Sequence, residues 1–129
     1  MNKYIFIIED DPVIQKAYQL KFAKNNLPFK AVLDGQEAID FVKNLKNEPP
    51  AVIILDLMLP RASGFQILSE IKKRDGWKDA TVLVLSNLSQ AADIEKVKAL
   101  GIKKFLIKAD TRIDEMIELV IKYYNEAKD

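Results

Sequence analysis

The side chains of this chain that could do chemistry stand directly after short apolar runs: Glu9-Asp10-Asp11, Asp56, Ser86-Asn87 and Lys108. The 129 residues include no histidine and no cysteine, which excludes imidazole bases, thiol nucleophiles and the usual zinc ligands. Oxygen donors such as carboxylates favour a hard cation such as Mg²⁺ over zinc or copper. An aspartate at the rim of a sheet also suits a nucleophile toward a phosphoryl group, with a lysine and a hydroxyl as partners.

Five short runs predict the strands that position these residues: Tyr4–Ile8, Phe29–Leu33, Ala51–Leu55, Thr81–Leu85 and Lys104–Ile107. The runs are apolar and often β-branched, without the alternation of a half-exposed strand, so they predict a parallel sheet covered by helices on both faces. Amphipathic stretches separate them. The sequence therefore predicts a single α/β domain, a doubly wound (βα)₅ unit spanning residues 1–129, with no attached output domain.

Capping signals mark where the helices begin. Asp11 precedes Pro12, and both Asp34 and Ser63 have a Glu or Gln three residues later, as N-caps and capping boxes do. Ser89 and Thr111 are the predicted starts of the last two helices, and Gly76 and Gly101 are the predicted ends of the third and fourth. Helical spacing predicts the faces that pack on the sheet: Ile14, Tyr18 and Leu20–Phe22 in the first helix, and Ile113, Met116, Ile117, Val120 and Tyr124 in the last.

In an open parallel sheet, ligands bind beyond the carboxyl ends of the strands, and each candidate side chain is predicted to lie at that edge. Carboxylates of Glu9, Asp10 and Asp56 brought together there would repel one another unless a cation offsets them. A divalent cation is therefore expected. Asp11 has a simpler alternative role, because an acid at that position is a common helix cap.

Charge and hydropathy limit the other partners. Twenty basic and nineteen acidic residues give a net charge of +1, so the balance gives no reason to expect a nucleic-acid surface. No apolar stretch approaches the ~20 residues of a membrane span, and the start of the chain lacks a signal-peptide pattern. We expect a cytoplasmic protein that binds neither nucleic acid nor membranes.

At this point the chain resembles the receiver (CheY-like) domain of two-component response regulators. The motifs that carry the resemblance are Ile7-Ile8-Glu9-Asp10-Asp11-Pro12, Asp34-Gly35-Gln36-Glu37-Ala38, Ile54-Leu55-Asp56-Leu57-Met58-Leu59-Pro60 with Gly64, Val84-Leu85-Ser86 and Phe105-Leu106-Ile107-Lys108. The resemblance covers nearly the whole length. It implies a five-stranded parallel sheet in the flavodoxin-like order 2-1-3-4-5.

The resemblance also implies roles for single residues. Asp56 would accept a phosphoryl group from the phosphohistidine of a partner histidine kinase or phosphotransfer protein. Mg²⁺ would be held by Glu9, Asp10, Asp56 and the backbone carbonyl of Met58. Lys108 and Ser86 would contact the phosphoryl oxygens, and Phe105 would be the switch aromatic whose rotamer follows Ser86.

The same resemblance implies a way for the signal to leave the domain. The face formed by helix 4, strand 5 and helix 5 would contact a downstream protein, and family members also dimerise through this face, so a homodimer is a further candidate assembly. The protein would be a phosphoacceptor rather than an enzyme. Apolar Met58 and Leu88, each two positions after a site residue, favour slow autodephosphorylation.

Two positions depart from the family pattern. Ala109 stands where a proline commonly follows the lysine, and Asn87 stands where a small residue usually follows the serine. These departures are compatible with a second interpretation, a degenerate receiver that acts as a constitutive protein-interaction module. Two classes of α/β protein fit less well. A haloacid-dehalogenase-type phosphatase needs an aspartate at position 58, and a flavodoxin-type cofactor would be repelled by the three acids after the first strand.

Overall fold

The computed structural model describes residues 3–87 and 90–127. Five parallel strands form one sheet in the order β2-β1-β3-β4-β5, as expected. They are β1 (Ile5–Ile8), β2 (Phe29–Val32), β3 (Val52–Leu55), β4 (Thr81–Ser86) and β5 (Lys104–Ile107). The helices are α1 (Pro12–Lys24), α2 (Gly35–Lys43), α3 (Gly64–Lys73), α4 (Ala91–Ala99) and α5 (Ile113–Ala127), with a single 3₁₀ turn at Lys108–Asp110. The predicted flavodoxin-like (βα)₅ architecture is confirmed.

Burial explains why the strands form where the apolar runs lie. Every residue of β1 and β3 is buried, whereas the edge strands β2 and β5 are only partly covered. One apolar core lies on each side of the sheet. Val42, Ile71 and Val97 belong to the core on the side of α2, α3 and α4, and Phe22 and Val120 belong to the core on the side of α1 and α5. The covered parallel sheet inferred from the unalternating runs is therefore confirmed.

The capping signals of the first three helices are confirmed. Asp11 accepts hydrogen bonds from the backbone N–H groups of Val13 and Ile14 at the start of α1. Asp34 accepts one from the Glu37 N–H at 2.8 Å at the start of α2. Ser63 forms a complete capping box before α3. These bonds satisfy N–H groups that have no partner within the helix, so each of the three helices begins at a residue fixed by its cap.

The predicted face of α1 is wrong at Leu20. Gln15, Tyr18 and Phe22 are the buried residues of α1, whereas Leu20 is 62% exposed. The reason is geometric, because residues 15, 18 and 22 share one face at helical spacing and residue 20 lies away from it. The buried face of α5 is confirmed at Met116, Ile117, Val120 and Tyr124, and it also includes Tyr123.

The predicted starts of the last two helices need correction. Helix α5 begins at Ile113, and the Thr111 hydroxyl donates to the carbonyl of Ile107 instead of capping the helix. Gln90 precedes α4 without a side-chain cap, and the predicted cap at Ser89 lies outside the described residues. Gly76 and Gly101 do follow α3 and α4 with positive φ angles of 86° and 91°, which glycine adopts without strain.

Candidate functional site

Two buried carboxylates and one exposed carboxylate meet at the carboxyl edge of the sheet. Glu9 follows β1 and Asp56 follows β3, and β1 and β3 are neighbouring parallel strands. Glu9 is 2% exposed and Asp56 is 5% exposed, while Asp10 is open to solvent. One oxygen from each of the three carboxylates lies within 4.8 Å of the others. The convergence predicted for Glu9, Asp10 and Asp56 is therefore observed.

Lys108 supplies a positive charge to this edge. Its Nζ lies 2.9 Å from Asp56 Oδ2, 2.9 Å from Glu9 Oε1 and 3.0 Å from Glu9 Oε2. The lysine side chain is only 17% exposed, so these contacts are charge-assisted hydrogen bonds largely shielded from water. The lysine that follows β5 thus neutralises part of the charge of the residues that follow β1 and β3.

Burial and the ion pair act in opposite directions on the titration of these groups. Burial raises the pKa of Glu9, and the hydrogen bonds from the Asp11 backbone and from Lys108 offset only part of that rise. Burial alone would lower the pKa of Lys108, but hydrogen bonds to Glu9 and Asp56 outweigh it and raise the pKa above its ordinary value. Lys108 is therefore charged at neutral pH.

The loop after β3 is held tightly around Asp56. Asp56 Oδ1 accepts a hydrogen bond from the Met58 N–H at 3.0 Å, and the Gly64 N–H donates to the carbonyl of Leu57 at 3.0 Å. A Cβ on Gly64 would lie 2.4 Å from Leu57 Cα, so only glycine lets the start of α3 approach this closely. Both oxygens of Asp56 are thereby fixed, Oδ1 by the backbone and Oδ2 by Lys108.

The β3–α3 loop is also fixed to the start of α2. The Gly35 N–H donates to the carbonyl of Pro60 at 3.0 Å, and a Cβ on Gly35 would lie 2.0 Å from the carbonyl oxygen of Ala62. The backbone of Met58 therefore belongs to a constrained loop beside Asp56, although its side chain is 57% exposed. Of the two residues expected to make an apolar wall, Met58 lies near the site and Leu88 lies outside the described residues.

The two predicted switch residues lie on β4 and β5. Ser86 is the last residue of β4, fully buried, and it pairs in register with Ile107 of β5. Phe105 pairs with Val84 and is partly buried against the core on the side of α2, α3 and α4. Ser86 therefore lies at the carboxyl end of β4, the strand that pairs with β3, which Asp56 follows. The roles of Ser86 and Phe105 in switching stay predictions.

The two departures from the family pattern occupy adjacent loops. Among the described residues there is no cis peptide bond, so Lys108 and Ala109 are joined by a trans bond inside the 3₁₀ turn. Asn87 Oδ1 accepts a hydrogen bond from the Ala109 N–H at 2.9 Å. With this backbone, Lys108 reaches both carboxylates.

Gln15 supports the site, although no sequence motif singled it out. Its Nε2 donates to the carbonyls of Glu9 and Val32 at 3.2 and 2.9 Å, and its side chain is buried. It therefore ties the ends of β1 and β2 together under Glu9. The signal that could have found it is its spacing from Tyr18 and Phe22, which places a polar residue on the buried face of α1.

The donor set of this edge fits a hard divalent cation. Three carboxylates from two neighbouring loops converge, two of them buried, and no nitrogen or sulfur ligand is among them. Oxygen-only sites of this kind bind Mg²⁺ and related ions. The acidic cluster can therefore hold a metal ion.

The comparison with protein families agrees with the fold and the site. The model of the response regulator receiver domain matches residues 5–120, so the chain belongs to that family, the phosphoaccepting switch domains of two-component systems. The chain is 28% identical over 120 residues to the "Regulator of RpoS" of Escherichia coli (strain K12). This alignment covers 93% of this chain and 34% of that protein. It spans between 34% and 50% of the length of several curated relatives.

Two solved structures are similar over nearly their whole length. The phosphorylated cyanobacterial phytochrome response regulator RcpA has a TM-score of 0.81 at 25% identity, covering 100% of this chain and 98% of that one. The Mn²⁺-bound form of response regulator Rcp1 has a TM-score of 0.79 at 25% identity, covering 98% and 97%. No helix within residues 3–87 and 90–127 is long and apolar enough to cross a bilayer.

Proposed function

We propose that Asp56 is the phosphoacceptor of this domain and that its modification switches the domain between two states. The contact that carries the proposal is the 2.9 Å hydrogen bond from Lys108 Nζ to Asp56 Oδ2. It sets a fixed cation beside the carboxylate oxygen, where negative charge arrives with a phosphoryl group. Phosphoryl transfer depends mainly on this kind of positioning and charge stabilisation.

The donor is a phosphohistidine on a partner histidine kinase or phosphotransfer protein. A carboxylate oxygen of Asp56 forms the bond to phosphorus, the phosphorus–nitrogen bond breaks, and its electron pair stays on the donor imidazole. Because this chain has no histidine, it cannot be the phosphohistidine donor. The Lys108 ammonium forms an ion pair with the phosphoryl oxygens, and the Ser86 hydroxyl donates a hydrogen bond to them.

Glu9, Asp10, Asp56 and the Met58 carbonyl are the residues that would hold Mg²⁺. When bound, the ion supplies positive charge to offset the acidic cluster and the incoming phosphoryl group. The structure of Mn²⁺-bound Rcp1 supports divalent binding at a receiver of this shape. Within this chain, Gln15 and the Asp11 backbone hold Glu9 in place, each through hydrogen bonds.

The output leaves through the surface formed by α4, β5 and α5. We propose a downstream protein as its partner in the cytoplasm, and a homodimer through the same surface as a further assembly. Modification of Asp56 acts on this surface through Ser86, which ends the neighbouring strand β4, and through Phe105, which lies in β5 itself. New charge at one site thereby biases a two-state element at another.

Phosphorylation by a small acyl phosphate in the presence of Mg²⁺ tests the proposal directly. Intact mass spectrometry should show one added phosphoryl group on the wild type and none on Asp56→Ala. Asp75→Asn is the matched control, since the Asp75 side chain is 100% exposed, and it should be modified like the wild type. A wild type that stays unmodified would favour a degenerate receiver acting as a constitutive interaction module.

The apolar side chain of Met58 leads to a proposal about the lifetime of the phosphorylated state. An apolar residue two positions after Asp56 neither orients a water molecule nor accepts its proton, so hydrolysis of the acyl phosphate should be slow. Following the decay of the added mass after removal of the donor measures this lifetime. Loss within seconds would contradict the reasoning.

A further inference from the structure

One side-chain hydrogen bond joins the two loops that carry Ser86 and Lys108. The Ala109 N–H donates to Asn87 Oδ1 at 2.9 Å. The last paired residues of β4 and β5 are Ser86 and Ile107, so this bond lies just beyond the end of the sheet. It continues the β4–β5 pairing past the strands, to the residues that directly follow the hydroxyl and the ammonium of the site.

The bond needs the residue types found at both positions. Ala109 lies in the 3₁₀ turn, where the first N–H groups have no partner inside the turn. A proline at position 109 would have no N–H to donate, and glycine or alanine at position 87 would have no side-chain oxygen to accept a hydrogen bond. The two departures of the sequence from the family pattern are thus donor and acceptor of a single hydrogen bond.

The backbone of Lys108 is fixed on both sides as a result. Before it, Ile107 pairs with Ser86, and after it, Ala109 is bonded to Asn87. Thr111 holds the far end of the turn, because its hydroxyl donates to the Ile107 carbonyl at 2.9 Å. From this anchored backbone the Lys108 side chain reaches Glu9 and Asp56, each at 2.9 Å.

We propose that Asn87 is a positioning residue for Lys108. Its bond to the Ala109 N–H holds the turn against the end of β4 and thereby keeps the Lys108 ammonium on Asp56 Oδ2, which speeds phosphoryl transfer to Asp56. The effect on rate rests on the phosphoacceptor role proposed above. The effect on the position of Lys108 does not, and can be measured without any phosphodonor.

Three substitutions separate the hydrogen bond from the bulk of the side chain. N87A removes the acceptor, N87L keeps a similar volume without an acceptor, and N87D keeps an acceptor oxygen at the same reach. The matched control is N25A, because Asn25 is also exposed and also makes one side-chain hydrogen bond to the backbone, at 2.8 Å, at the far end of α1.

The first readout is the ¹⁵N resonance of the Lys108 ammonium in the unphosphorylated protein. It should shift toward the values of exposed lysines in N87A and N87L, stay at the wild-type position in N25A, and not move toward the exposed values in N87D, whose added charge changes it only by a direct electrostatic effect. An unchanged resonance in N87L would overturn the proposal, because the bulk of the side chain would then hold the turn. A resonance in N87D that moves toward the exposed-lysine values as far as in N87A would overturn it as well, because an acceptor oxygen would then not be what matters.

The second readout is the rate of Asp56 phosphorylation by a small acyl phosphate with Mg²⁺. Loss of one neutral hydrogen bond should slow N87A and N87L about three- to tenfold, while N25A keeps the wild-type rate. Wild-type rates in both variants would overturn the role of Asn87 in transfer. A wild type that is never phosphorylated would instead refute the proposed function, and the resonance of Lys108 would still decide whether Asn87 positions it.

Discussion

Replacement of Lys108 by methionine tests whether the ammonium holds the acidic edge together. The substitution keeps most of the apolar stem and removes the charge. It leaves the carboxylates of Glu9 and Asp56, whose side chains are 2% and 6% exposed, without their cation. Breaking a fully buried ion pair costs about 3–5 kcal/mol. Because this site lies at the rim of the sheet and Asp10 is open to water, we expect a loss of about 2 kcal/mol in the free energy of unfolding.

Mg²⁺ should reverse this loss. In the wild type the Lys108 ammonium bonds to Glu9 and Asp56, two of the carboxylates that would hold the ion, so Lys108→Met should bind Mg²⁺ more tightly. Each tenfold rise in free ion above the dissociation constant adds about 1.4 kcal/mol to the free energy of unfolding. The ion should therefore stabilise the variant from lower concentrations than the wild type.

Urea unfolding at a series of Mg²⁺ concentrations measures both effects. Lys73→Met is the matched control, since that lysine side chain is 70% exposed, and it should change stability by less than about 0.5 kcal/mol. A Lys108→Met variant as stable as the wild type without Mg²⁺ would refute the reasoning. An equal response of the two proteins to Mg²⁺ would refute the competition between the lysine and the ion.

Two further predictions concern one loop at the edge of the sheet opposite the site and one loop beside the site. Arg74 donates hydrogen bonds to four backbone carbonyls at and after the end of α2, so Arg74→Ala should lower the free energy of unfolding, measured with urea, by about 2 kcal/mol. Lys43→Ala is the control, because that lysine side chain is 62% exposed, and it should have little effect. An equal loss in both variants would contradict the argument. Gly64→Ala should destabilise the protein by about 2 kcal/mol and slow phosphorylation of Asp56, because the Cβ of the new alanine would displace Leu57. A variant with both the wild-type rate and the wild-type stability would contradict the idea that this loop is fixed.

Local signals were sufficient to predict the elements of this fold. Short apolar runs placed all five strands to within one residue at either end. The signal is clearest in β1 and β3, because burial on both faces leaves no place there for polar residues. Asp11, Asp34 and Ser63 placed the first three helix starts, because a cap acts on N–H groups two or three residues away. Such signals need no knowledge of the rest of the chain.

The same signals failed at two residues, for which a second arrangement was available. Leu20 is apolar and yet exposed, because packing of Tyr18 and Phe22 against α5 and the sheet decides which face of α1 is buried. Thr111 has the residue type of a cap, but its hydroxyl bonds to the Ile107 carbonyl of the preceding turn. Tertiary contacts made the choice for Leu20, whereas for Thr111 it was made by the turn that precedes α5.

The sequence by itself determined which residues would gather at the carboxyl edge, because parallel strands must all end there and each run is followed by a polar residue. Only the tertiary structure decided how they meet. Lys108 contacts Glu9 and Asp56 across sequence separations of 99 and 52 residues, and Asn87 bonds to Ala109 across 22. No local pattern encodes those distances, because they arise from strand register and from the turn that follows β5.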